Sequence, residues 1–174
     1  MLGTAGRRTG RYFTGLDDFT VITPGFETYL SLTTSNSSSV KRGSFPEVAL
    51  NKNRIKKDYY NLNPYTAYNR GGDSIMQYRN EIAPIDKRIL AIGDSFATVP
   101  FAFLPLIFTS CNQLDLRYCD EDFDFQEYFN SYNPDIVINL ANPTTLTGPN
   151  LAYDFFNEYS DKSFVREVTF DSED

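Results

Sequence analysis

The 174-residue sequence contains no histidine, no tryptophan and only two cysteines. Histidine is the usual proton carrier near neutral pH and the commonest metal ligand, so its absence removes the Ser-His-Asp triad, the Cys-His dyad and His-bearing metal sites from this polypeptide acting alone. Cys111 and Cys119 do not form a Cys-x-x-Cys pair, and two free thiols are expected rather than a metal clip or a redox motif. No apolar run approaches the ~20 residues of a membrane-spanning helix, and residues 1–20 lack the apolar centre of a secretion signal. Basic charge is scarce as well. Sixteen Lys and Arg against 23 Asp and Glu leave −7 at pH 7, which argues against nucleic acid as a partner.

What is present is the material of one packed domain: 41% hydrophobic, 16% aromatic and 22% charged residues in a chain too short for two comfortable cores. The expected organisation is a single domain over 1–174, loop-rich over 1–86 and rhythmic over 87–170. Before Asn80, short strand-like pieces (Phe19–Ile22, Tyr29–Leu32) alternate with Pro24-Gly25 and with the polar stretch Thr33 to Ser44, whose serines 35–39 read as a mobile surface loop.

After Lys87, Arg88 to Ile92 reads as a strand buried on both faces and Phe96 to Phe108 as a buried helix interrupted by Pro100 and Pro105. Gln113 to Arg117 is the next strand candidate. Asp124 and Glu127 form a capping-box pattern, and Phe123 and Tyr128 are spaced for a hydrophobic staple, which predicts a helix over 125–132. Asn133-Pro134 ends it, and Asp135 to Leu140 is a third strand. A helix over 150–159 and a strand over 164–168 follow. Strand, helix, strand, helix, strand predicts α/β architecture with a parallel sheet in three layers, flavodoxin-like, whose ligands meet the carboxyl ends of the strands. Those ends carry Asp94-Ser95, Arg117 and Asn142.

A serine between a buried strand and a helix sits where free N–H groups can stabilise an oxyanion, as acyl transfer requires. The same Asp-Ser is also an ordinary helix cap. Gly-Asp-Ser occurs twice. The first copy, Gly72-Asp73-Ser74, follows no apolar strand and reads as a turn, whereas Gly93-Asp94-Ser95 has the expected surroundings.

Arg88 to Phe96, Leu114 to Tyr118 and Pro134 to Val137, in that order and spacing, resemble the carboxyl-terminal half of the SGNH/GDSL hydrolase-like domain in DHHW and AlgX/AlgJ-type proteins, with Leu2 to Arg8 and Asn63 to Asp73 adding to the likeness. The resemblance implies O-acetylation of exopolysaccharides, a carbohydrate partner, an extracytoplasmic location and no cofactor. It assigns Ser95 as nucleophile, Asp94 as the residue shaping its turn and the Ser95 N–H as an oxyanion donor. Asn142 becomes a candidate amide donor or plain turn residue, and Arg117 a candidate contact for an acidic sugar or a solvated strand-end arginine. The family's Asp and His lie upstream of the nucleophile's segment. Here nothing of that kind precedes Gly3, so the chain is expected to be a fragment or a version unable to run the triad. The two functional expectations are therefore the nucleophile-bearing part of an esterase or O-acetyltransferase, inactive alone, and a non-catalytic glycan-binding or scaffold domain.

Other features have plainer readings. Arg7, Arg8 and Arg11, near Tyr12 and Phe13, are expected to grip an anionic glycan or, more plainly, to sit beside Asp17 and Asp18, which as neighbours on a strand face opposite ways and form no catalytic couple. Most of the 12 Tyr and 15 Phe belong to the core. Asp120 to Asp122 with Asp124 lack the glycine and terminal glutamate spacing of a calcium loop, so no metal is expected.

Overall fold

A computed structural model describes residues 19–56, 63–120 and 122–143. The arginine cluster at 7–11, the Asp17-Asp18 pair and the elements expected at 150–159 and 164–168 lie outside the described residues. Six strands form one sheet: β1 (Leu30–Thr34), β2 (Ser37–Gly43), β3 (Ile75–Arg79), β4 (Ile85–Gly93), β5 (Phe108–Leu114) and β6 (Ile136–Leu140), in the order β2-β1-β3-β5-β4-β6. Among the described residues three short α-helices accompany them, α1 (Phe45–Val48), α2 (Thr98–Phe103) and α3 (Phe125–Tyr132). Among the described residues no helix is long and apolar enough to cross a membrane.

The α/β class holds, but the sheet is mixed and mostly antiparallel, not the parallel layer expected. β4 pairs in parallel with β5 and β6, whereas β3 runs antiparallel to β5, β1 to β3 and β2 to β1. The repeating strand-helix pattern over 85–140 is a local signal of parallel crossovers. The antiparallel part is attached through β3, whose partner is more than thirty residues away in sequence.

Other boundaries moved for identifiable reasons. The serine-rich stretch is no loop: residues 37–43 form exposed edge strand β2, paired with β1 through the backbone and joined to it across Ser35-Asn36. Phe19–Ile22 forms no strand. Helix α2 stops at Phe103 rather than Phe108, and β5 begins at Phe108, five residues before the expected strand start at Gln113; Leu116–Tyr118 is a 3-10 turn rather than the end of a strand. Pro100 is accommodated because it lies in the first turn of α2, where its missing N–H would have had no partner.

Strand β4 organises the core because it is covered on both faces. Ile89 and Ala91 pack with Phe101 and Ala102 of α2, while Leu90 and Ile92 join Leu114 under Phe125, Tyr128 and Phe129 of α3. Helix α3 occupies the span its capping pattern predicts: the Asp124 carboxylate accepts the Glu127 N–H at 2.8 Å and the Phe123 and Tyr128 rings meet at 5.5 Å. Asn133 ends it in the left-handed conformation, φ 49°. Its tyrosines are tethered by their hydroxyls. Tyr132 donates to the Ile89 carbonyl and Tyr128 accepts from Asn112.

Asp135 fastens the start of β6 to β4. Its carboxylate accepts the Arg88 N–H at 2.8 Å and lies beside Lys87 and Arg88, and these contacts, the Arg88 N–H first, hold its carboxyl below the ordinary value. A depressed folded-state pKa contributes stability that is present above the unfolded value and lost as pH falls through the folded one. The melting temperature is therefore expected to drop as the solution is acidified below about pH 4, and Asp135→Asn to flatten that limb. Identical pH profiles for the two proteins would contradict the assignment.

Candidate functional site

Register decides what meets at the carboxyl edge of the parallel strands. Gly93 pairs with Leu140 and Ile92 with Leu114, so β4, β5 and β6 end nearly level and deliver Asp94, Asp115 and Ala141 to one edge. Because β3 is antiparallel to β5, its beginning lies there too: Ile75 pairs with Leu114, and the Asp115 N–H donates to the Ser74 carbonyl at 2.9 Å. The end of β1 arrives beside it, with the Ser35 N–H donating to the Ile75 carbonyl. Both Gly-Asp-Ser copies therefore line one cleft of about 420 Å³, together with Asn69, Gln113 and Arg117. The first copy is a turn, as read, with Gly72 at φ 87°, and it is also a wall of the site.

Ser95 is exposed on that cleft. It does not cap α2, which begins three residues later with Ala97 in the cap position and no side-chain cap bond. Asp94, which is buried, holds the turn ahead of the helix: one carboxylate oxygen accepts the Phe96 N–H at 2.8 Å, the other accepts the Asn142 N–H at 2.9 Å, and its carbonyl accepts the Ala97 N–H. Asp94 thus shapes the turn and ties the ends of β4 and β6 together. Neither the Ser95 hydroxyl nor its N–H has a hydrogen-bond partner among the described residues. The Tyr65 hydroxyl braces the next residue by donating to the Phe96 carbonyl at 2.8 Å; burial, with the Asp94 charge adding, raises its pKa and keeps it a donor.

Gly93 allows the turn to lie against β6. A Cβ built there would sit 2.5 Å from the Ala97 Cβ, 2.8 Å from the Leu140 carbonyl and 2.8 Å from the Phe101 ring. Beneath the cleft runs a buried polar chain centred on Asn69. Its amide donates to the Thr98 carbonyl (3.0 Å) and the Gln113 side-chain oxygen (2.7 Å), its oxygen accepts the Tyr78 hydroxyl (3.0 Å), and Gln113 donates onward to the Phe101 carbonyl. Asn69 sits at φ 47° and Arg70 at φ 54°, ahead of Gly71 and Gly72. Four successive residues in left-handed or related conformations are held by this chain. Only the pairing of Asn69 with a double glycine hints at it in sequence.

The remaining candidates stand differently. Arg117 lines the cleft, but its guanidinium is paired twice with Asp115, at 2.8 and 2.6 Å, and stacks over Tyr118, so its charge is already committed to a neighbour. Asn142 adjoins the Ser95 turn through its backbone and is not among the cleft-lining residues. Both cysteines are free; burial pushes Cys111 up to about 12 and Cys119 up to about 11, which keeps them protonated at neutral pH.

No protein-family model matches the chain, and no curated protein matches it. Solved structures do. Bacillus cereus PatB1 with a sulfonyl adduct superposes with a TM-score of 0.52 at 20% identity, over 71% of this chain and 38% of that one. A DHHW family protein from Eubacterium siraeum superposes with a TM-score of 0.50 at 15% identity, over 77% of this chain and 41% of that one. The chain spans about two-fifths of the length of these neighbours, and the likeness is one of fold: the described residues have a DHHW- and PatB1-like α/β arrangement.

Proposed function

We propose that this chain is the nucleophile-bearing part of an acyl-ester hydrolase or O-acetyltransferase acting on an extracytoplasmic polysaccharide. The observation that carries the reading is Ser95, exposed on a cleft at the carboxyl edge of parallel strands with its hydroxyl and N–H uncommitted among the described residues. Its oxygen would attack an acyl carbonyl while its proton passes to a base, and the developing oxyanion would meet the Ser95 N–H. The bond to the donor's alkoxy group would break, that group leaving as the alcohol with the proton the base returns. A sugar hydroxyl or water would then release the acyl group from the serine. The sulfonyl adduct in PatB1 supports the reading, because sulfonylation is chemistry of a nucleophilic side chain.

A histidine base would have to come from outside this sequence, which has none. That absence equally favours a second reading, a glycan-binding domain that keeps the cleft without the chemistry. Ester hydrolysis separates the two. With an activated acetyl ester and imidazole supplied in solution, the wild-type rate above the protein-free blank is expected to exceed that of Ser95→Ala by about tenfold or more. Equal rates reject Ser95 as the nucleophile and leave the binding domain.

A further inference from the structure

A second concavity, of about 480 Å³, lies between β2, α1 and the turn that follows α1, with Arg70 of the Asn69–Gly72 loop on its wall. Four cations line it: Lys41 and Arg42 from β2, Lys52 from the 3-10 turn and Arg70 from the left-handed loop. Glu47 is the one carboxylate on its wall; it accepts the Ser44 N–H at 2.8 Å and the Ser44 hydroxyl at 2.6 Å, and the charges of Lys52 and Lys41 also help to lower its pKa, so it offsets part of the positive charge. Ion pairs among the described residues join Lys87 and Arg88 to Asp135 and Arg117 to Asp115, and none involves the four groove cations. Arg70 is fixed rather than trailing in solvent: its N–H donates to the Ala49 carbonyl and its guanidinium to the Leu50 carbonyl.

We propose that this groove binds an oxyanion ligand, a group or chain segment bearing phosphate or carboxylate, at a place separate from the Ser95 cleft. Lys41, Lys52 and Arg70, three positive charges from three separate segments, repel one another, whereas Arg42, the strand neighbour of Lys41, faces the other way; an anion seated among the three removes that repulsion and gains charge-assisted hydrogen bonds. Burial and then the Arg70 charge lower the Lys41 pKa, with Glu47 acting the other way. Protection of an exposed edge strand accounts for lysine and arginine on β2 alone. It does not account for Lys52 and Arg70 converging on the same groove. In a chain of net charge −7 the patch is a local reversal of sign, which favours an anion there.

The test is titration calorimetry of the full chain at low salt with two probes, tripolyphosphate for phosphate chemistry and tetragalacturonate for carboxylate. At least one is expected to bind saturably below about 1 mM and to weaken as salt is raised to about 0.5 M. Arg70→Gln and the double variant Lys41→Gln/Arg42→Gln are expected to weaken it by about tenfold, and Ser95→Ala to leave it unchanged. The double variant lies on an exposed edge strand, so it carries the test even if Arg70→Gln fails to fold. Whichever probe binds identifies the oxyanion. Saturable binding of neither, an affinity indifferent to both cationic variants, or a loss on Ser95→Ala overturns the groove, without bearing on whether Ser95 is a nucleophile.

Discussion

Replacing Asn69 with alanine is expected to cost about 3–7 kcal/mol of unfolding free energy. The change leaves the Tyr78 hydroxyl and the Gln113 amide oxygen without their partner, both on buried side chains, at about 1–3 kcal/mol each. It also places a Cβ-bearing residue without a side-chain amide at φ 47°, worth about 1 kcal/mol more. Asn69→Gly separates the two contributions, because glycine loses the hydrogen bonds but adopts the backbone freely. Urea unfolding should therefore rank wild type above Asn69→Gly and Asn69→Gly above Asn69→Ala. A loss below about 1 kcal/mol in both variants would mean that the chain under the cleft is not what holds the loop in place.

The second large effect is at Gly93. Alanine there must displace Ala97, Phe101 and the end of β6 together, since the new methyl would overlap all three, and overpacking of this kind costs about 1–3 kcal/mol. Two of the obstacles are backbone or rigidly packed: the Leu140 carbonyl belongs to a paired strand, and Phe101 is buried in the core. The displaced segment is the Ser95 turn itself, so the variant is expected to lose any Ser95-dependent chemistry even where it still folds. Wild-type stability by urea denaturation, with Ser95 reactivity retained, would show that β4 and α2 can part there without cost.

The parts of this fold that were legible in the sequence are those written in local chemistry. Helix α3 follows from Asp124, Glu127, Phe123 and Tyr128, all within one turn of its start. Strand β4 follows from a run of apolar residues that both faces bury, and β6 from a short apolar run after Asn133-Pro134. Pairing across distance was not legible. The Ser37–Gly43 strand exposes its side chains and is held by backbone bonds, so its composition looks like that of a loop. The antiparallel β3 has no local marker of direction, yet its direction is what carries Gly72-Asp73-Ser74 into the cleft. At the site, Ser95 and Asp94 were named from the strand-to-turn context, whereas Asn69, Gln113 and Tyr65 became visible only when three distant segments were brought together.

The account depends on Ser95 being a reactive hydroxyl rather than one exposed serine among many. Intact-mass and fragment-mass analysis after treatment with a sulfonyl fluoride, in buffers of increasing imidazole concentration, reads that property residue by residue. The expected result is a single adduct on Ser95 whose rate of formation rises with imidazole and which is absent from Ser95→Ala. Adducts on Ser74 or on tyrosines at rates equal to or above that of Ser95, with no dependence on imidazole, would contradict it.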